Sequence, residues 1–230
     1  MRISLVACSR GRPFKLVETL LSLMSTINPN LPVEVLIRID FDDPTYLSYC
    51  EHIPLACPFA RLVCGPRLGP GGARAGQEIV MSAKGDLILI FADDIIFFNG
   101  WHNELLRVVE EKKDKLVFYT ADGYKDEKSV SHPIVRRKWL DILGFFFPHE
   151  FFALYADTWI EDVARRANVL HYIPTILIKH NKLSTFDSTM IDARLGEGIK
   201  KSKLIYDSLK TQRDLCVEKI KEAMHVKETL

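Results

Sequence analysis

Asp86-Leu87-Ile88-Leu89-Ile90-Phe91-Ala92-Asp93-Asp94 is a short apolar run that ends in two adjacent carboxylates. The apolar part lacks proline, is rich in leucine and β-branched residues, and has the length of one buried strand. Carboxylates at the carboxyl end of such a strand fall where open α/β sheets bind their ligands. Carboxylate oxygens also suit a divalent cation that itself holds phosphates. Asp93 and Asp94 are therefore candidate metal ligands. The plainer reading is that the pair closes the strand or caps the next turn.

Working back from this stretch, Ile3 to Ala7 reads as a buried first strand and Ser9-Arg10-Gly11-Arg12-Pro13 as a basic loop. A helix starts at Pro13, a favoured first helical position. Val17, Leu20, Leu21 and Met24 give it one apolar face, and Asn28-Pro29-Asn30 with Pro32 ends it. Val33 to Ile39 is a second strand, closed by Asp40-Phe41-Asp42-Asp43-Pro44, and Arg61 to Cys64 a short third. The loop Gly65-Pro66-Arg67-Leu68-Gly69-Pro70-Gly71-Gly72 then leads into a helix over Ala73–Ser82. This alternation of strands and helices predicts an α/β fold, a mainly parallel sheet with helices on both faces.

Beyond Asp94, Trp101 to Glu111 reads as a helix, Leu116 to Tyr119 as a strand and Ser131 to Val135 as an extended edge segment. Thr158-Trp159-Ile160-Glu161 has the form of a capping box, followed by an apolar face of Ile160, Val163, Ala164 and Ala167. Short extended pieces from Leu170 onward end at His180. From about Gly196 the chain is charged and helical, with Cys216, Ile220, Ala223 and Met224 on one stripe. That segment either packs across the preceding domain or forms a homodimer contact.

The chain has 230 residues, 47% hydrophobic and 27% charged, with a net charge of +1. It is long enough for a substantial core, too apolar for disorder, and lacks a global basic footprint for nucleic acid. Five cysteines without a C-x-x-C pair indicate a reduced, cytoplasmic protein and no disulfide or zinc framework. No apolar run reaches the length of a membrane span.

Several residues carry chemistry in this arrangement. The glycine loop lets a backbone approach phosphates, the helix after it offers free N–H groups, and Arg74 adds a charge. The loop lacks the spacing of a dinucleotide fingerprint and the G-K-[ST] of a P-loop. Asp40 follows a strand at the same sheet edge. It is placed either to accept from a nucleobase or ribose, or to cap the turn before Asp42-Asp43-Pro44. Asp157, close to a helix N-terminus, is held ionised there, as a general base needs; helix stabilisation explains it equally. His180 is a metal ligand or a structural histidine. Arg136-Arg137-Lys138 and Lys200-Lys201-x-Lys203 are solvated faces or contacts for an anionic partner such as nucleic acid or a lipid headgroup. Trp101, Phe145 to Phe147, His149 and Trp159 either shape a ligand site or fill the core.

Gly72-Ala73-Arg74-Ala75-Gly76, then Ala83-Lys84-Gly85-Asp86, then a hydrophobic strand, then Ala92-Asp93-Asp94 resembles the "G-x-A-R-N-x-G … A-x-G-D … D-x-D" segment of GT-A glycosyltransferases, especially their inverting family-2-like group. The resemblance extends from Ser9-Arg10-Gly11-Arg12-Pro13 through Tyr155-Ala156-Asp157-Thr158 to His180. Three positions depart from the pattern. Phe91 stands where the first acid of D-x-D is usual, Ala156 where Glu commonly precedes the catalytic Asp, and Ala75 where Asn is frequent.

The resemblance implies a GT-A nucleotide-sugar domain over residues 1–195 with a C-terminal helical extension over 196–230. It implies a hexosyltransferase that moves a sugar from a nucleotide-sugar donor, a UDP-sugar in the first instance, to an acceptor hydroxyl by single displacement with inversion. Ser9, Arg10, Arg12, Asp40, Gly72, Arg74 and Asp93 would bind the donor. Asp93, Asp94 and His180 would hold Mn2+ or Mg2+, with Asp93 carrying most of the load, and Asp157 would be the base. The departures at Phe91 and Ala156 leave one alternative, a sugar-nucleotide-binding module without turnover. A nucleotidyltransferase is a poorer match, because its glycine-rich loop follows the first strand, where this chain has Ser9-Arg10-Gly11-Arg12.

Overall fold

The computed structural model describes residues 1–69, 71–123, 126–181 and 197–225. Nine strands and eight α-helices alternate along these residues. The strands are β1 (Ile3–Cys8), β2 (Val33–Asp40), β3 (Ala60–Gly65), β4 (Leu87–Phe91), β5 (Ile95–Phe97), β6 (Val117–Ala121), β7 (Ile134–Arg136), β8 (Leu170–Ile176) and β9 (Ile178–His180). The helices are α1 (Pro13–Thr26), α2 (Tyr46–Ala56), α3 (Ala73–Ser82), α4 (Trp101–Glu111), α5 (Arg137–Leu143), α6 (Ala156–Arg166), α7 (Glu197–Ser208) and α8 (Lys210–His225).

Seven strands form one mixed, mostly parallel sheet in the order β3-β2-β1-β4-β7-β6-β8, and β5 pairs with β9 in a small second sheet. β1 lies between β2 and β4, parallel to both. Its side chains alternate between two cores. Ile3, Leu5 and Ala7 face Leu16, Leu20 and Leu23 of α1 and Tyr49 and Ile53 of α2, while Val6 joins Ile79 and Val80 of α3 with Trp139 and Trp159. Each such aliphatic side chain contributes about 1.5–3 kcal/mol by leaving water. Burial on both faces is why β1, β2 and β4 read as near-continuous apolar runs.

The segment Ala83-Lys84-Gly85-Asp86 fastens β4 to its neighbours. Gly85 N–H donates to Ser4 Oγ at 2.7 Å and Lys84 N–H to Glu34 Oε1 at 2.5 Å, while Asp86 accepts the Arg2 N–H at 2.7 Å. A Cβ on residue 85 would stand 2.6 Å from the Ser4 backbone nitrogen, so only glycine fits this approach.

Several local expectations change. α1 turns Leu16, Leu20 and Leu23 to the core and leaves Leu21 exposed. A face centred on Leu20 and Leu23 satisfies the 3.6 period as well as one through Leu21. α2 has no clear sequence signal, because Pro54 lies inside it and Leu47 and Leu55 are exposed. The 131–135 segment is not an edge: β7 lies between β4 and β6, antiparallel to both. The capping box is absent. α6 begins at Ala156 after Tyr155 in a left-handed conformation, and Glu161 instead accepts the Val130 N–H at 3.2 Å and pairs with Arg165.

The run Arg136-Arg137-Lys138 is internal bracing. These side chains donate to the carbonyls of Lys115, Gly85 and Ala223 respectively. α8 packs on α5 and α6, and its Cys216, Val217 and Ile220 are buried in the same cluster as Trp139 and Trp159; Ala223 and Met224 are half-buried. The expected domain boundary at 195/196 lies outside the described residues. The five cysteines are all free, and among the described residues no helix is long and apolar enough to cross a membrane.

Candidate functional site

Parallel pairing of β1 through β4 sets the residues that follow these strands at one sheet edge. Cys8 registers with Arg38, Asp40 with Gly65, and Ala7 with Phe91. A cleft of ≈ 180 Å3 opens there, lined by Ser9, Arg10, Arg12, Asp40, Gly72 and Asp93 together with Cys8, Arg38, Arg67 and the glycine loop. Six of the seven donor-binding candidates thus meet in one place. Arg74 does not line it; its Nε donates to the His149 carbonyl at 3.0 Å.

The three acids after β2 have separate tasks. Asp43 caps the turn, accepting Thr45 N–H and Oγ1 at 2.7 Å each, and also takes Gly11 N–H at 2.8 Å. Asp42 pairs with Arg10 at the surface, at 2.8 Å. Asp40 faces the cleft with one oxygen 3.2 Å from Arg10 and the other 3.2 Å from Arg38. Burial raises its pKa, against the pull of both guanidiniums. Arg38 itself is 1% exposed. It also holds Glu78 at 3.1 Å and the Pro66 carbonyl at 2.7 Å, which ties β2 to the start of the glycine loop.

Asp93 is 0% exposed. Its Oδ2 accepts Ser9 Oγ at 2.6 Å and Arg12 Nε at 3.1 Å, and its Oδ1 is in contact with the Arg12 guanidinium. Ser9 Oγ in turn meets Tyr49 Oη at 2.7 Å, and the Asp93 carbonyl accepts Thr19 Oγ1 at 3.0 Å. Asp94 points elsewhere: its Oδ1 lies 3.2 Å from His180 Nε2 and its Oδ2 3.6 Å from Arg12. Burial works to raise its pKa, but the hydrogen bond and charge of His180, with Arg12 and His132, leave it lowered. The paired strands β5 and β9 set Ile95 opposite His180, and the Asn181 N–H donates to the Asp94 carbonyl at 2.7 Å.

Asp94 and His180 offer oxygen and nitrogen donors from a partly buried position, which suits Mn2+ and is acceptable to Mg2+. Asp93 is a poorer fit for that task, because both its oxygens are engaged by Ser9 and Arg12. A further set adjoins His180. Single ligand atoms of Asp122, His132 and His180 all lie within 4.8 Å of one another.

Asp157 lies in the first turn of α6, where its Oδ1 accepts the Thr158 N–H at 2.8 Å. The chain leading to it touches the glycine loop: a Cβ on Gly71 would stand 2.6 Å from Ala153 Cβ and 2.7 Å from the Phe152 carbonyl. Of the aromatics, Trp101, Phe146, Phe147 and Trp159 are core residues, Phe145 packs on Trp159, and His149 is exposed. Cys8 also lines the cleft, and burial pushes its thiol up to about 12.

Arg38, Asp43, Tyr49, Asp122 and His132 escaped the sequence reading. An arginine in an apolar strand and an acid after β6 were the available signals for Arg38 and Asp122. His132, in a loop, offered none.

No family model matches the chain, and no curated protein matches it in sequence. Solved structures do match. S. aureus TarS 1-349 in complex with UDP-GlcNAc superposes with a TM-score of 0.68 at 15% identity, over 94% of this chain and 70% of that one. Another S. aureus TarS structure gives 0.61 at 14% identity, over 91% of this chain and 43% of that one, so this chain spans under half of that length. The mannosyltransferase PcManGT from Pyrobaculum calidifontis, in complex with GDP-Man and Mn2+, gives 0.62 at 11% identity, over 96% of this chain and 73% of that one. The mostly parallel seven-stranded sheet flanked by helices, in common with these glycosyltransferases, is the GT-A fold.

Proposed function

We propose that the protein is a metal-dependent glycosyltransferase that passes a hexosyl group from a nucleotide sugar to an acceptor hydroxyl with inversion. The observation that carries this reading is the cleft at the ends of β1, β2 and β4, where Asp40, Arg10, Arg12, Ser9 and the glycine loop converge one residue from Asp94 and His180. The fold neighbours bind UDP-GlcNAc and GDP-Man, both hexose donors, and a UDP-sugar is the first donor to try.

Asp40, set between Arg10 and Arg38, accepts from the base or ribose. Arg12, anchored on Asp93, and the N–H groups at the start of α3 face the diphosphate. Mn2+ or Mg2+ on Asp94 and His180 would supply Lewis-acid stabilisation of charge on the departing nucleoside diphosphate. Asp157 takes the proton of the acceptor hydroxyl while its oxygen bonds to the anomeric carbon and the bond to the diphosphate breaks on the opposite face. In this assignment Asp93 acts through Arg12 and the cation belongs to Asp94.

The test is release of nucleoside diphosphate from a panel of UDP- and GDP-sugars with Mn2+. Release by the native chain, lost in Asp157→Asn while donor binding persists, is the expected result. Donor binding without release by any preparation would make the chain a binding module. No binding of any nucleotide sugar would reject the reading.

A further inference from the structure

We propose that Asp122 and His132 complete the cation's ligand set with Asp94 and His180, forming a four-residue centre that takes up Mn2+ before any nucleotide arrives. The proposal rests on the metal-dependent reading above and extends it to two residues outside the strand-end motif.

The four side chains come from four separate places in the chain. Asp94 follows β4, Asp122 follows β6, His132 precedes β7 and His180 ends β9. The fold nonetheless fixes them together by main-chain bonds. His180 N–H donates to the Asp122 carbonyl at 3.0 Å, and Asn181 N–H donates to the Asp94 carbonyl at 2.7 Å. β9 is therefore stitched to both carboxylate-bearing segments at once. Asp122 is further set by Ser131 Oγ, which donates to its Oδ2 at 2.5 Å, and by Asp126, which accepts the Asp122 and Gly123 N–H groups at 3.2 and 2.9 Å. The rings of His132 and His180 lie 5.3 Å apart, centroid to centroid.

The spacing suits one ion. Ligands about 2.1–2.2 Å from a metal lie at most about 4.4 Å apart across it; the atoms of Asp122, His132 and His180 lie within 4.8 Å of one another, so a small side-chain adjustment brings them onto one ion. Asp94 adjoins this trio, its Oδ1 3.2 Å from His180 Nε2, and would turn in as the fourth ligand when the ion binds. Asp122 and His132 are buried, so an ion held among these donors is shielded from water. Two imidazole nitrogens favour a transition metal over Mg2+, which prefers oxygen ligands and keeps its waters. A protein cage of this size binds its ion without help from a diphosphate.

The full chain is titrated calorimetrically with MnCl2, first alone and then with UDP. The native protein should bind Mn2+ without nucleotide, and a hundredfold excess of MgCl2 should fail to displace it. His132→Gln and Asp122→Asn should each raise the Kd at least tenfold. Electron spin-echo modulation of Mn2+ in native protein labelled with 15N-histidine should count two imidazole nitrogens, a readout independent of how the variants fold. Native-like Mn2+ affinity in both variants, or a single coordinating nitrogen, would overturn the four-residue centre and leave Asp94 with His180 in place. Uptake only when UDP is present would overturn it as well. No uptake under either condition would remove this proposal and the metal-dependent reading together.

Discussion

Asp94 Oδ1 lies 3.2 Å from His180 Nε2, whereas its neighbour Asp93 is turned inward onto Arg12 and Ser9. Adjacent acids at a strand end thus serve different masters, and substitution should separate them. Asp94→Asn should lose Mn2+ binding and cost about 1 kcal/mol, the worth of part-exposed pairs with His180 and Arg12. Asp93→Ala leaves the Arg12 guanidinium beside an empty buried position. It should cost about 3 kcal/mol, a fall in Tm of roughly 6–12 °C for a chain of this size. Thermal melting and Mn2+ titration on both variants check this; equal stability losses would contradict the division of labour.

The strand ends were legible because parallel strands buried on both faces are written as near-continuous apolar runs. Ile3 to Ala7, Val33 to Ile39 and Leu87 to Phe91 give way within two residues to Ser9, Asp40 and Asp93. Ser9, Asp40 and Asp93 could be placed at one edge from that alone. Which of two adjacent carboxylates turns inward was not legible, since it depends on contacts with Arg12 and Ser9, 84 residues upstream in the case of Ser9. Asp122 and His132 were hidden for the same reason. Their meeting requires β7 to insert antiparallel between β4 and β6, with β9 pairing to β5, and no local period encodes either event. Nor was there any sign in the sequence that Trp139 and Trp159 leave a face for Cys216 and Ile220 to cover.

Gly71 couples the glycine loop to the segment that carries Asp157. A methyl group there would meet Ala153 Cβ at 2.6 Å, Ala153 Cα and the Phe152 carbonyl at 2.7 Å. Backbone atoms cannot yield as a flexible side-chain tip can, so the loop itself must move. Gly71→Ala should weaken UDP binding at least tenfold while costing about 1–3 kcal/mol of stability. The native chain is the reference, because Gly72, the other glycine of this turn, itself lines the cleft. UDP titration of the pair decides it: equal affinities would mean the loop does not set donor binding.

Glu34 should make part of the stability depend on pH. Burial pushes its carboxyl up, but hydrogen bonds from Ser4 and the Lys84 N–H and the charge of Arg2 outweigh it and lower the pKa below the ordinary 4.5. A carboxyl with a lowered folded pKa stabilises the native state above the unfolded value, and this contribution is lost as pH falls through the folded value. Glu34→Gln should therefore cost about 1–2 kcal/mol at neutral pH. The gap from the native chain should narrow progressively as pH drops below 4.5. Denaturant melts across that range check it, and a gap that is constant with pH would assign the loss to packing.

Ile220 is fully buried in the cluster that contains Trp139 and Trp159, and Cys216 and Val217 lie one turn before it on the same face. α8 is therefore part of the core of its own chain. Arg213, buried beside them, reinforces the attachment with its guanidinium 3.9 Å from the Tyr206 ring and its Nε 3.1 Å from Asp162. Ile220→Ala should cost about 2–5 kcal/mol, from the lost methyl groups and the cavity they leave. If this face closed a dimer instead, the variant would also change the mass in solution, and the native Tm would rise with protein concentration. The expected result is a lower Tm in Ile220→Ala, independent of concentration in both proteins, with the solution mass unchanged by light scattering. A concentration-dependent Tm in the native chain that vanishes in the variant would show that α8 serves an interface instead of the core.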